Sequence, residues 1–163
     1  MKIFAHRGAP KEAPENTLAS IRRALELGVD GIEFDILLTK DKVPVVTHGN
    51  NLSVLTNATG YVHEKTFAEI SNLDVGRHFG PAFAGHTMPT LTEVLELAKP
   101  FEHCQMILEL KSQPDLANDA AKQIGGLARD ILRPERLLLS SFSLSYLHAL
   151  KRHHPDLHRA WIV

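Results

Sequence analysis

Short apolar runs alternate with amphipathic helical patterns along nearly the whole chain, and this alternation constrains the fold more than any single residue does. KIFAH (2–6), GIEFDILLT (31–39), VPVVTH (43–48), QMILELK (105–111), RLLLSS (136–141) and HRAWIV (158–163) read as strands. A helix starting near Glu15-Asn16-Thr17 carries Leu18, Ile21, Leu25 and Leu27 on one face and stops at Gly28. Thr90 caps a second helix, with Leu91, Val94, Leu95 and Ala98 as its apolar face and Pro100 as its stop. Two more are expected over roughly 115–131, with Gly125-Gly126 as a weak point inside it, and over 143–153. Strands separated by helices pair mostly in parallel, with the helices packed outside the sheet. Residues 49–89 break the rhythm: rich in Asn, Thr, Gly and His and too long for a simple connection, they read as a functional insertion.

The strands share a second property. KIFA ends in His6, GIEFDI carries Glu33 and Asp35, VPVVT ends in His48, and MILELK carries Glu109 and Lys111. Side chains alternate along a strand, so Glu33 and Asp35 share a face opposite Ile32, Phe34 and Ile36. Four strands thus present ionisable groups at one end of a sheet, the end where parallel α/β folds place their active sites.

Two neighbouring carboxylates on a strand need positive charge between them. Glu33, Asp35 and Glu109 supply only oxygen, which suits a hard divalent cation, Mg²⁺ or Ca²⁺. The competing account pairs Glu33 and Asp35 with Lys111 and Arg7. Zinc fits less well: no cysteine cluster or HExxH helix occurs, although His6 and His48 are imidazoles. Those two histidines are the candidates for general acid and base. Arg7 and Lys111 add the cationic surroundings that a phosphate ester requires.

HRG at 6–8, PENT at 14–17, GVDGIEFDI at 28–36, LTKD at 38–41, PVVTH at 44–48, MPTLTEVL at 88–95, LELK at 108–111 and SF at 141–142 closely resemble the glycerophosphodiester phosphodiesterases. The resemblance runs from residue 3 nearly to the end, and its order and spacing are far more specific than any one motif. It implies a TIM-type (β/α)8 barrel, with 1–163 as one partial barrel domain and about 49–89 as the family's insertion. It also implies metal-dependent hydrolysis of glycerophosphodiesters, such as glycerophosphocholine and glycerophosphoethanolamine, to glycerol 3-phosphate and an alcohol. Glu33, Asp35 and Glu109 would hold the Mg²⁺ or Ca²⁺, His6 and His48 would form the acid–base pair, and Arg7 and Lys111 would steady the phosphate. The chain departs from the family pattern at Gly49, where an Asp usually follows the histidine, and at Val54, often an Arg.

With 163 residues, six strands and a closed barrel typically needing about 200–250 residues, the chain is expected to lack its last two strands. The open edges at Lys2-Ile3-Phe4 and Trp161-Ile162-Val163 would then invite self-association. A net charge of -1 gives no reason to expect nucleic acid, and no apolar run approaches a transmembrane span. MKIFAHRGAP has too short an apolar stretch for a signal peptide, and the single Cys104 fits a reducing compartment. Both favour the cytoplasm over the periplasm or secretion. Two other functions compete: a lysophospholipase D or phosphatidylinositol phospholipase-like enzyme, for which Phe67, Phe79 and Phe83 supply apolar surface, and a catalytically impaired binder of phosphate esters. Phe142 and Trp161 are assigned to core or pocket wall, and Glu15 and Asn16 first to capping and second to a role in the pocket.

Overall fold

A computed structural model describes residues 1–111 and 113–163. The elements run β1 (Phe4–His6), α1 (Leu18–Glu26), β2 (Gly31–Leu38), β3 (Pro44–Val46), α2 (Phe67–Ile70), α3 (Leu91–Ala98), β4 (Gln105–Leu110), α4 (Ala117–Ile131), β5 (Leu137–Ser141), α5 (Leu144–His153) and β6 (His158–Trp161). Both helix starts expected near threonine are capped by one: Thr17 accepts from Ser20 N–H, and Thr90 from Glu93 N–H in a full capping box.

β1, β2, β4, β5 and β6 lie side by side in that order, all parallel. One face of this wall carries Ile32, Phe34, Ile36, Met106, Leu108, Leu110, Leu137 and Leu139, buried beneath the apolar stripes of α1, α3, α4 and α5. The register aligns the opposite face into rows. His6 lies beside Glu33, Glu33 beside Ile107, and Ile107 beside Leu138; one step higher, Asp35 lies beside Glu109 and Glu109 beside Ser140.

β3 departs from expectation. It pairs antiparallel with the far end of β2, Ile36 opposite Val46, instead of joining the wall. The reason is arithmetical: a parallel return needs a crossover of a dozen or more residues, and only residues 39–43 separate the two strands. Five of the six strands therefore form the barrel wall, and His48 reaches the site on a strand running back towards it. Residues 47–89 then build a second small core, in which Leu52, Val62, Ile70, Val75 and Met88 pack with Leu37 of β2 and Val45 of β3.

Beyond β4 a side chain extends the sheet. Lys111 N–H donates to Ile36 O, the last backbone rung. Gln113 then accepts from Leu38 N–H at 3.0 Å and donates to Leu38 O at 3.1 Å, so its amide stands in for one more residue of strand. Tyr146 Oη brackets the Gln113 backbone, accepting from its N–H and donating to its carbonyl.

Candidate active site

The loop after β1 is strained in a way that aims Arg7 inward. Arg7 has φ 59° and Gly8 φ 87°, left-handed conformations that cost an ordinary residue about 1 kcal/mol or more. Gly8 cannot be replaced cheaply, because a Cβ there would lie 2.4 Å from Ser20 Oγ and 2.6 Å from its backbone carbon. Ser20 ties the turn to α1 by accepting from Ala9 N–H and donating to Arg7 O. The PENT loop is held opposite: Asn16, also left-handed at φ 57°, donates its backbone N–H to Arg7 O.

Glu33, Asp35 and Glu109 each bring an oxygen into one group, all within 4.8 Å of one another. The two cations also enter it, though unevenly. Lys111 Nζ donates to Glu109 Oε1 at 2.5 Å and lies 2.8 Å from Asp35 Oδ1, while Arg7 Nε lies 3.0 Å from Asp35 Oδ2. The contact of Arg7 Nε with Asp35 is an ion pair without an aligned N–H. Burial pulls the Lys111 ammonium down, but hydrogen bonds and charge from Asp35 and Glu109 outweigh it and leave its pKa above the ordinary 10.5. Glu33 receives neither cation. Both of its oxygens are buried without a hydrogen-bond partner, and His6 Nε2 lies 3.7 Å from Oε2. Burial first, then the charges of Asp35 and Glu109, push the Glu33 carboxyl up to about 7, against the pull of Arg7 and Lys111.

The account in which Arg7 and Lys111 neutralise the strand thus holds for Asp35 and Glu109 and fails for Glu33. Counting Glu15, which also takes Arg7, four carboxylates face two cations. With Glu33 ionised the carboxylates outnumber the cations by two, and the unpartnered oxygens belong to the residue left out. This donor set fits a hard divalent cation.

All seven residues singled out in the sequence meet at this end of the wall. His6 is largely exposed at its rim, and His48 Nδ1 lies 3.0 Å from Arg7 Nη1 and 3.5 Å from Glu15 Oε1. Glu15 and Asn16, assigned to capping, instead belong to the cluster: Thr17 is the cap, Arg7 Nη1 donates to both Glu15 oxygens at 3.2 Å, and Asn16 Nδ2 donates to Asp35 Oδ2 at 2.9 Å. The two asparagines that follow Gly49 are engaged within the insertion. Asn50 is bonded to the ring and N–H of His63, and Asn51 caps the turn at Ser53. Phe142 and Trp161 are not core but exposed at the ends of β5 and β6, where Trp161 Nε1 donates to Phe142 O. Of the insertion's aromatics, Phe67 packs on the second core and Phe79 stacks edge-on against Phe83 at 5.1 Å. No helix among the described residues is long and apolar enough to cross a membrane.

A parallel α/β arc with acidic oxygen donors gathered at its strand ends defines a barrel of the TIM type with an acidic mouth. The glycerophosphoryl diester phosphodiesterase family model matches residues 6–163, and the chain belongs to that family. A glycerophosphodiester phosphodiesterase of Caldanaerobacter subterraneus subsp. tengcongensis is 41% identical over 95% of this chain and 63% of its own length. An Oleispira antarctica phosphodiesterase, solved in complex with the product sn-glycerol-3-phosphate, superposes with TM-score 0.94 at 32% identity, over 100% of this chain and 66% of that one. A glycerophosphodiester phosphodiesterase of Agrobacterium tumefaciens gives TM-score 0.87 at 33% identity, over 98% and 65%. The chain thus spans just under two thirds of the length of these relatives.

Proposed function

We propose that the protein hydrolyses glycerophosphodiesters, such as glycerophosphocholine and glycerophosphoethanolamine, to glycerol 3-phosphate and the free alcohol, with a divalent metal. The observation that carries this is the charge imbalance of the cluster: the unpartnered Glu33 oxygens beside Asp35 and Glu109, set between two histidines at the mouth of a phosphodiesterase-family barrel. Glu33, Asp35 and Glu109 would hold Mg²⁺ or Ca²⁺, which when bound lowers the pKa of a glycerol hydroxyl and offsets charge on phosphate.

The remaining steps fall to side chains. One of His6 and His48 removes the proton of the glycerol hydroxyl as it attacks phosphorus. The other protonates the bridging oxygen of the departing alcohol. Water then opens the cyclic phosphate: the imidazole that gave up its proton takes one from the water, and the other returns its proton to the glycerol oxygen as the ring opens. Arg7 uses Nε and Nη1 in its contacts with Asp35, Glu15 and His48, and we assign its Nη2 to a phosphate oxygen. The Lys111 ammonium, with two of its three donors turned to carboxylates, gives the third to the same group. Residues 1–163 act as one barrel domain with about 49–89 as its insertion, in the cytoplasm, where Cys104 stays a buried thiol.

Incubating the purified chain with glycerophosphocholine and Mg²⁺ or Ca²⁺ should release choline and glycerol 3-phosphate, and excess chelator should stop it. Turnover unaffected by chelator would sink the metal-dependent mechanism.

A further inference from the structure

We infer that Ser140 is a positioning residue of this site: its hydroxyl, buried beside Glu109, accepts a hydrogen bond from a water carried by the divalent cation and so fixes part of the shell that the carboxylates leave open. This rests on the metal-dependent reading above and extends the site to β5.

β5 ends in two serines, and the wall treats them oppositely. Side chains alternate along a strand, so Ser141 faces the helices, where its Oγ donates to Leu110 O at 2.7 Å and accepts from Ser143 N–H at 3.1 Å. Ser140 faces the inner side. It lies beside Glu109, itself beside Asp35, so the three form one row across β2, β4 and β5. Ser140 is 3% exposed, and its Oγ is buried with no hydrogen-bond partner. Among the described residues, buried side-chain polar atoms without a partner gather at this cluster. Both Glu33 oxygens, Arg7 Nε and Ser140 Oγ belong to it; the outlier is Nδ1 of His154, whose ring packs on Gly125 of α4.

Packing does not call for this hydroxyl. A buried hydroxyl without a partner destabilises a fold, and the next residue of the same row, Ala160 on β6, has none. The chemistry of a hydrated cation does call for it. Mg²⁺ keeps several of its waters when carboxylates bind it, and Ca²⁺ also completes its shell with water. A metal-bound water turns its lone pair to the ion and its protons outwards, so each proton needs an acceptor. Arg7 and Lys111 can only donate, and the three carboxylates are taken up as ligands. Ser140 offers lone pairs without adding charge to an already acidic row, and its own proton is left for the Glu109 carboxylate next to it.

Titration calorimetry on the chelator-stripped protein, with Mg²⁺ and then Ca²⁺, tests this without turnover. Ser140→Ala should bind each cation about 10-fold more weakly, the low end for losing an outer partner of a metal site. Urea unfolding in chelator supplies the second reading. With no hydrogen bond to lose, metal-free Ser140→Ala should be at least as stable as the unaltered protein. A hydroxyl that serves the cation lowers affinity and spares metal-free stability, whereas a structural hydroxyl lowers stability in chelator. Equal affinities in the two proteins would overturn the role of Ser140 and leave the metal-dependent activity standing. A metal-free Ser140→Ala less stable than the unaltered chain would overturn that role as well. An unaltered chain that binds neither cation would sink the metal-dependent activity proposed above, and the role of Ser140 with it.

Discussion

Asn16 grips Asp35 at two points. Its Nδ2 donates to the carboxylate Oδ2 at 2.9 Å, and its Oδ1 accepts from the Asp35 backbone N–H at 3.4 Å. It does so from a left-handed backbone that asparagine tolerates better than most residues. Asn16→Ala loses both the bonds and that tolerance, whereas Asn16→Gly loses only the bonds. Removing a donor from a buried carboxylate costs about 1–3 kcal/mol, and the left-handed turn adds about 1 kcal/mol more for alanine. Urea unfolding should rank the proteins as unaltered, then Gly, then Ala; Ala as stable as Gly would mean that the backbone strain is relieved elsewhere.

Glu33 should make the metal-free protein less stable as pH rises. Its carboxyl sits at about 7 in the folded chain against an ordinary 4.5. Between those values the folded state holds a proton that the unfolded state has released, so stability falls through the window and the loss is complete above about pH 7. Urea midpoints in chelator should trace this decline, Glu33→Gln should flatten it, and Mg²⁺ or Ca²⁺ added at pH 8 should raise the midpoint of the unaltered protein. A slope unchanged in Glu33→Gln would place its origin in another group.

Two adjacent glycines of α4 should respond oppositely to alanine. A Cβ on Gly125 would fall 2.3 Å from Cδ2 of His154, a buried ring whose Nε2 donates to Lys122 O at 2.8 Å. At Gly126 the nearest atom would be His154 Cε1, at an ordinary 3.7 Å. Gly→Ala inside a helix normally gains up to about 1 kcal/mol, which Gly126→Ala should show. Gly125→Ala should lose roughly 1–3 kcal/mol through overpacking. Thermal melts of the pair suffice, and two shifts of the same sign would contradict this packing.

Arg136 closes the lower end of the wall. Its guanidinium donates to the carbonyls of Ala98, Lys99, Phe101 and Cys104, gathering the end of α3 and the approach to β4. Lysine cannot span that fork. Arg136→Lys should cost roughly 3 kcal/mol, the scale for buried carbonyls left without donors, while leaving the dissociation constant for Mg²⁺ or Ca²⁺ unchanged. A matched loss of metal affinity would show that the two ends of the barrel are coupled.

Much of this was legible in the sequence, because strand–helix alternation and period-two polarity are local signals. They located the six strands and the four longer helices to within about three residues, missed α2 inside the insertion, and gave the shared face of Glu33, Asp35 and Glu109. The direction of β3 was also readable, since the five residues from Thr39 to Val43 are too few for a crossover, but a run ending in histidine looked like its parallel neighbours. Glu15 and Asn16 were only partly legible, with the pocket ranked behind capping, for a different reason. Ser, Thr, Asp, Asn and Glu before an apolar helix are the ordinary marks of a cap, and nothing local distinguishes an Asn that caps from one whose left-handed turn reaches Asp35, nineteen residues on. The unequal sharing of cations, which leaves Glu33 bare, depends on angstrom-scale side-chain geometry and has no sequence signature.

The rows of the inner wall also bear on how the molecule can be divided. Every group in the acidic cluster and around His48 lies on β1, β2, β3 or β4 or on the loops that follow them, so its chemistry occupies one unbroken stretch of chain ending at Lys111. Among the described residues, α4, β5, α5 and β6 support that stretch without lending the acidic cluster or His48 a charged group. A nick or an inserted partner domain near the start of α4 would separate scaffold from chemistry along a natural seam. The amino-terminal piece would keep the whole charged constellation, and the carboxyl-terminal piece would serve as a replaceable buttress carrying Ser140.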